Sequence, residues 1–245
     1  MERREITYTA EDYSRTKGAS GFRDCVEKYT ILSLIGDPRG LRILDAGCGD
    51  GLYARLLADL GASHITGVDC ADDFIELARR KSKDYGGRIE YNQAFIQDFF
   101  GNGDCDLVLG SFILNYARKL EEIVKYCMAI ASHLKPGGRF VGFNNNPFEV
   151  FNGERYAQYG FRKTMSGSGE GKEVVYKVDG MTDPIVNYYL NPQTHEQAFL
   201  ESGLELEWKR VLLHPSEQEN PHWNTFFEGE SPFISMIGRK MGDSN

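Results

Sequence analysis

The sequence predicts an α/β protein built on a doubly wound, mostly parallel sheet of seven strands, with an antiparallel insertion after strand five. Three observations carry that reading. Up to Asn144, short apolar runs alternate with segments whose apolar residues recur at helical spacing. The first run opens into a glycine-rich turn, Asp45-Ala46-Gly47-Cys48-Gly49-Asp50-Gly51. Beyond Asn144 the alternation stops, and a stretch rich in Gly, Tyr and polar residues replaces it.

The elements follow in order. Residues 1–21 read as an arm or lid carrying Tyr8 and Tyr13, and residues 22–35 as a helix ended by Gly36-Asp37-Pro38. Leu41-Arg42-Ile43-Leu44 is a buried-strand run that feeds the glycine turn. A helix follows, with Leu52, Leu56, Leu57 and Leu60 expected on its inner face and Gly61 as its stop. Ile65 to Val68 is a strand. Asp72 to Lys81 is a helix with Phe74, Leu77 and Ala78 inward. Ile89 to Tyr91 and Asp106 to Gly110 are strands, and 118–134 is a helix. Lys135-Pro136-Gly137-Gly138 is read as a tight turn into the strand Arg139 to Phe143.

In the insertion, Val174 to Val178 and Ile185 to Leu190 are strand-like, and the turn Ser166-Gly167-Ser168-Gly169-Glu170-Gly171 reads as part of a hairpin. A short helix at 194–202 and strands at 204–213 and 232–239 close the chain. The expected organisation is therefore an arm (1–21), a cofactor-binding core (22–146), an insertion over the acceptor pocket (147–192) and a closing part of the core (193–245).

Composition narrows the function. The 245 residues carry 28 Lys and Arg against 36 Asp and Glu, a formal charge of −8. Such a chain lacks the broad positive field that nucleic-acid binding uses, so no nucleic-acid partner is expected. The basic cluster Arg79-Arg80-Lys81 reads as the positive last turn of a helix. Five dispersed cysteines with no CxxC pair argue against disulfides and structural zinc, and for a reducing, cytoplasmic setting. The charged N-terminus has no apolar core of a signal peptide, and no apolar run suits a membrane span.

The chemistry concentrates at the first strand-to-helix turn. Glycines there let a backbone pass close under a ligand, and ligands of open α/β sheets sit at this edge. Asp69, twenty residues after Gly49 at the end of strand two, suits a grip on the two hydroxyls of a ribose. Two cofactor classes meet that description. A dinucleotide would want a third glycine where Leu52 stands, and Asp45 and Asp50 would repel its pyrophosphate. S-adenosylmethionine, with an ammonium, a sulfonium and no phosphate, suits an acidic turn better.

The segments ILDAGCGDG (43–51), GVDCADDFIELAR (67–79), DLVLGSFILNYA (106–117) and LKPGGRF (134–140) resemble the class I methyltransferases, whose sheet is Rossmann-like. Leu114-Asn115-Tyr116-Ala117, Asn144-Asn145-Asn146-Pro147, Tyr159-Gly160-Phe161 and Asn187-Tyr188-Tyr189-Leu190 resemble, more narrowly, the toxoflavin-biosynthesis-type small-molecule methyltransferases. The resemblance implies S-adenosylmethionine as cofactor and transfer of its methyl to a nitrogen or oxygen of a small planar metabolite. Asp45, Gly47 and Gly49 would lie along the methionine part and Asp69 on the ribose. Cys70, Phe74, Phe95 and Ile96 would border the adenosine. Ser111 and Phe112 would approach the sulfonium, and Tyr13 would close over the methionine carboxylate. After strand three the run Ala94-Phe95-Ile96 lacks the usual acidic partner of adenine N6, so Asp98 or main-chain groups are expected to replace it.

Candidate acceptor-side residues are Asn115, Tyr116, Asn146 and Tyr188, with Asn144, Tyr189 and Trp223 nearby in the same loops. A general base is needed only if the acceptor has a proton to lose. No metal is expected, because Asp106 begins its strand at the wrong end of the sheet. The histidines read as structural. A protein or RNA acceptor and an NAD-type oxidoreductase stay as alternative readings, and the expected assembly is a monomer or homodimer.

Overall fold

The computed structural model describes residues 8–18, 21–149 and 153–242. Its strands are β1 (Arg42–Ala46), β2 (His64–Asp69), β3 (Ile89–Gln93), β4 (Cys105–Ser111), β5 (Leu134–Asn145), β6 (Phe161–Ser166), β7 (Glu173–Val178), β8 (Ile185–Tyr188), β9 (Leu204–Lys209) and β10 (Phe233–Lys240). The helices are α1 (Ala10–Gly18), α2 (Tyr29–Ile35), α3 (Leu52–Asp59), α4 (Asp72–Lys81), α5 (Leu120–His133), α6 (Pro192–Glu201) and α7 (Asn224–Phe227). A π-helical turn, Arg23–Lys28, runs directly into α2.

Seven strands form one sheet in the order β3-β2-β1-β4-β5-β10-β9. All pairs are parallel except those that β10 makes with β5 and β9. Register pairs Ala46 with Val68 and Asp69 with Gln93, so the carboxyl ends of β1, β2 and β3 finish together. The expected seven-stranded doubly wound sheet is thus present, and so is the insertion: β6, β7 and β8 make a separate antiparallel sheet.

Alternation along the strands feeds two cores, one per face, as a sheet covered on both sides requires. Ile43, Leu107, Leu109, Val141 and Phe143 pack with Ile31 and Ile35 of α2 and Leu57 of α3. Leu44, Ala46, Val108 and Phe140 pack with Ile123, Cys127 and Ile130 of α5 and Phe199 of α6. The insertion sheet joins the first core through Phe161, Val174 and Tyr176.

Three local expectations change. Of the four leucines assigned to the inner face of α3, only Leu57 is buried, and Leu60 is 45% exposed. The inward stripe is Tyr53, Ala54, Leu57 and Ala58, because two alanines let the helix lie close to the sheet. Lys135-Pro136-Gly137-Gly138 is an irregularity inside β5: its partner strand advances from Cys105 to Leu107 while β5 advances from Leu134 to Arg139. Strand β6 escaped the sequence reading, since Phe-Arg-Lys-Thr-Met-Ser has little strand character. Its pairing with β7 makes the 166–172 segment the hairpin turn that was expected.

The buried partner of β6 is ionic. Lys163 is 2% exposed and Glu149 4%, and Lys163 Nζ donates to Glu149 Oε2 at 2.5 Å. The pair fastens the insertion to the segment leaving β5. Glu149→Ala would strand a buried ammonium, so unfolding in urea should show a loss of about 3–5 kcal/mol. The double variant Glu149→Ala/Lys163→Met should recover most of it. Asp45, in the middle of the sheet, is 2% exposed. Burial, then the charge of Asp69, raise its carboxyl to about 7. Folding therefore favours the protonated form, and stability falls as pH rises from the ordinary carboxylate range through 7. Asp45→Asn should gain in Tm over the parent at pH 8 relative to pH 5; an equal difference at both pH values would contradict this.

Candidate functional site

The site is built where β1, β2 and β4 end. Gly47 and Gly49 adopt φ of 72° and 53°, left-handed values that suit glycine. A Cβ on Gly47 would meet Ile113 Cδ1 at 3.0 Å, and one on Gly49 would meet Phe74 at 3.6 Å. The bare backbone therefore forms one wall of a cleft. Asp69 fixes its position: Oδ2 accepts from Gly49 N at 2.9 Å and Oδ1 from Ala71 N at 3.0 Å. Burial pushes the Asp69 carboxyl above its ordinary range, against these two backbone bonds that lower it.

A cavity of about 250 Å³ lies over this turn. Gly47, Gly49, Asp69, Cys70, Phe74, Phe95, Ile96, Ser111, Phe112 and Tyr13 all line it. Those are the sequence-selected cofactor residues except Asp45, which does not line it and lies buried within β1. Gln97 lines the cavity, whereas Asp98 is exposed and does not. Gln97 Oε1 is buried with no hydrogen-bond partner among the described residues. The sequence reading named its neighbour instead, because it sought an acid and not an amide.

Helix α1 covers the cavity. Tyr13 stacks on Tyr8 with centroids 5.3 Å apart and meets Phe74 edge-on at 5.4 Å. Tyr8 and Tyr116 share a hydrogen bond at 3.4 Å between their hydroxyls. Polar latches hold the helix: Ala10 N donates to Asp73 Oδ2 at 2.9 Å, and Ser14 Oγ donates to Asp50 Oδ2 at 2.7 Å. Lys81 Nζ reaches the same Asp50 oxygen at 2.6 Å. Burial raises the Asp50 carboxyl, but the hydrogen bonds from Lys81 and Ser14 hold it below the usual carboxylate range.

A second cavity, of about 360 Å³, lies between the main sheet and the insertion. Tyr13, Phe112, Tyr116 and Ile185 line both cavities and form the wall between them. Phe112 has φ of 61°, uncommon for a bulky residue and held by its N–H on Phe143 O at 2.6 Å.

Of the four acceptor-side candidates, Tyr116 and Tyr188 line the first cavity, and Arg118 sits 4.7 Å over the Tyr188 ring. Asn115 and Asn146 lie apart from both large cavities. Asn115 Oδ1 accepts from Asn145 N at 3.2 Å, and Asn146 Nδ2 donates to Ser231 O at 2.8 Å, so both pin loops. Tyr189 turns away, donating to Pro147 O at 3.3 Å. Trp223 and His222 line the second cavity. His133 and His195 hydrogen-bond backbone carbonyls, in keeping with structural roles.

The sequence reading missed a buried cluster beneath Ser111. Ser111 Oγ and Tyr53 OH both donate to Glu27 Oε1, at 3.1 and 2.9 Å. Arg23 Nε stands 3.8 Å from Glu27 Oε2 with no hydrogen-bond partner among the described residues. Charged residues at i and i+4 on the apolar side of the first helix, next to Phe22 and Val26, were the available signal. Among the described residues no cluster of His, Cys, Asp and Glu could hold a metal ion, and no helix is long and apolar enough to cross a membrane.

Residues 43–138 match the family model described as a methyltransferase domain. A ubiquinone biosynthesis O-methyltransferase of Xanthomonas axonopodis pv. citri is 34% identical over 105 residues, which are 42% of this chain and 42% of that protein. The match thus spans less than half the length of that curated relative. A putative S-adenosylmethionine-dependent methyltransferase of Listeria monocytogenes aligns with a TM-score of 0.66 at 18% identity, over 88% of this chain and 97% of that one. The 1,6-didemethyltoxoflavin-N1-methyltransferase of Burkholderia thailandensis, solved with 1,6-didemethyltoxoflavin and S-adenosylhomocysteine, aligns with a TM-score of 0.58 at 15% identity, over 95% of this chain and 87% of that one. Identities this low speak to the fold. Residues 43–138 are therefore a methyltransferase domain, and the chain belongs by fold to the S-adenosylmethionine-dependent methyltransferases.

Proposed function

We propose that this chain transfers a methyl group from S-adenosylmethionine to a nitrogen or oxygen of a small planar metabolite. The observation that carries the reading is the pair of cavities with one shared wall. One cavity lies on the glycine turn and Asp69, and the other is mostly aromatic.

The residues fit the cofactor. Asp69 can accept from both ribose hydroxyls while its backbone donors keep it in place. Phe74, Phe95 and Ile96 offer apolar surface to a flat base, and Gln97 Oε1 offers an unused acceptor to an exocyclic amine. Arg23, buried and with an unused Nε, is suited to the methionine carboxylate. Tyr13 and Phe112 present ring faces that tolerate a cation.

When bound, S-adenosylmethionine supplies a methyl already activated on a sulfonium, which the acceptor displaces in line as its own proton leaves to water. The chain's task is then alignment and exclusion of water, and orientation of this kind can supply about 7–11 kcal/mol. Tyr116 and Tyr13 do not act as bases: burial raises Tyr116 to about 12 and Tyr13 further still. They keep their protons and shape the wall. The five free cysteines suit a reducing, cytoplasmic setting. The Xanthomonas relative's name speaks of O-methylation and the Burkholderia enzyme's of N1-methylation, so the reading keeps both acceptor atoms.

By calorimetry, S-adenosylhomocysteine should bind and NAD should not. Asp69→Ala should weaken S-adenosylhomocysteine binding by about 1.5–3 kcal/mol, the scale of hydrogen bonds to a charged group; unchanged affinity would rule out Asp69 as the ribose holder. Deleting residues 1–18 should lower turnover at least tenfold. It should lower Tm by only about 2–4 °C, because the arm mainly closes the site. Undiminished turnover would reject the lid role.

A further inference from the structure

The second cavity carries unused hydrogen-bonding groups that say more about its ligand than its size does. Asn145, at the end of β5, and Asn187, in β8, both line it and face each other across the joint between sheet and insertion. Asn145 Nδ2 donates to Asn187 Oδ1 at 3.3 Å. That bond uses one atom of each amide. Asn145 Oδ1 and Asn187 Nδ2 remain, buried and without a partner among the described residues. Exchanging O and N in both amides would keep the mutual bond and still leave one acceptor and one donor. The pair therefore offers one free acceptor and one free donor under either assignment. Tyr176 adds a third unpaired group: its hydroxyl is buried without a partner among the described residues, and burial keeps it protonated.

Leaving buried amide atoms unpaired is costly, on the order of 1–3 kcal/mol per group. A ligand that pairs them regains that cost, and one that cannot is rejected by it. The walls set the shape. Tyr159 and Trp223 stack at 5.3 Å, and Phe161 and Phe233 lie with centroids 5.4 Å apart, so the cavity presents ring faces and edges. The lining also limits the chemistry. Apart from tyrosines, its described titratable side chains are Asp179, exposed and paired with Arg162 at 2.6 Å, and His222, also exposed. A ligand with a strongly basic or strongly anionic group would find no buried counter-charge among them.

Resting on the methyl-transfer reading, the geometry points to a flat heteroaromatic acceptor that carries an N–H beside a C=O. Its lactam or imide edge pairs with Asn145 and Asn187, and its faces lie against the aromatic walls. Such a ring binds neutral, and its N–H is acidic enough to be lost without a dedicated base. Phenols and catechols lack the matched donor and acceptor and are disfavoured.

The test uses the full chain saturated with S-adenosylhomocysteine and three bicyclic probes of similar size: quinazoline-2,4-dione, coumarin, which has the carbonyl but no N–H, and 2,3-dihydroxynaphthalene. Calorimetry should give the dione at least tenfold tighter binding than either of the others. Asn187→Leu should abolish that preference while leaving S-adenosylhomocysteine affinity and Tm nearly unchanged. Equal or tighter binding of coumarin or the diol by the parent chain would overturn the assignment, and that comparison needs no variant to fold. A preference for the dione that survives in Asn187→Leu would also overturn it. Failure of S-adenosylhomocysteine itself to bind is a separate reading in the same titration, and it would remove the cofactor assignment on which the inference rests.

Discussion

Asp69 accepts backbone N–H groups from two elements, Gly49 in the turn after β1 and Ala71 at the entry to α4. Those two bonds set how the first turn lies against the second strand, and the cleft depends on that placement. The glycine turn has left-handed backbone and no side chains of its own to hold it. A carboxylate that anchors the turn and still faces the cavity is costly to bury, and its raised pKa reflects that cost. The nearby acidic groups, Asp45 and Asp50, are treated in opposite ways. Asp45 is sealed inside the sheet and pushed toward neutrality, while Asp50 is stabilised as an anion by Lys81 and Ser14. Only the second is used to latch α1.

The rest of the site is assembled around that anchor by elements far apart in the chain. Helix α1 supplies Tyr13, the end of β4 supplies Phe112, and the insertion supplies Ile185, yet all three stand in one wall. The unusual backbone at Phe112 is tolerated because its N–H is held on β5 and its ring meets Phe143 and Phe233 edge-on. The buried Lys163–Glu149 pair fixes the insertion to the end of β5, beside the loops that carry the asparagines. Covering the acceptor side and holding the insertion in place are therefore one structural problem.

Much of this was legible in the sequence because it is local. Apolar runs, the glycine turn and the spacing to Asp69 depend on neighbours a few residues away, and they yielded the sheet and most of the cofactor cleft. What escaped depends on pairing across long separations. The strand at Phe161–Ser166 is polar and exists through its register with β7. The inner face of α3 follows Ala54 and Ala58, whose small size matters only once the sheet lies beneath them. Gln97 displaced Asp98 because a short 3₁₀ turn, Ile96–Asp98, aims one inward and the other to solvent. Asn145 and Asn187, 42 residues apart, gain meaning only from facing each other.

The most direct test of the account is a crystal structure of the full chain with S-adenosylhomocysteine. The account expects both ribose hydroxyls within hydrogen-bond distance of the Asp69 carboxylate, the sulfur facing the wall formed by Tyr13, Phe112, Tyr116 and Ile185, and Gln97 beside the adenine. A ligand seated elsewhere, or a ribose turned away from Asp69, would contradict it.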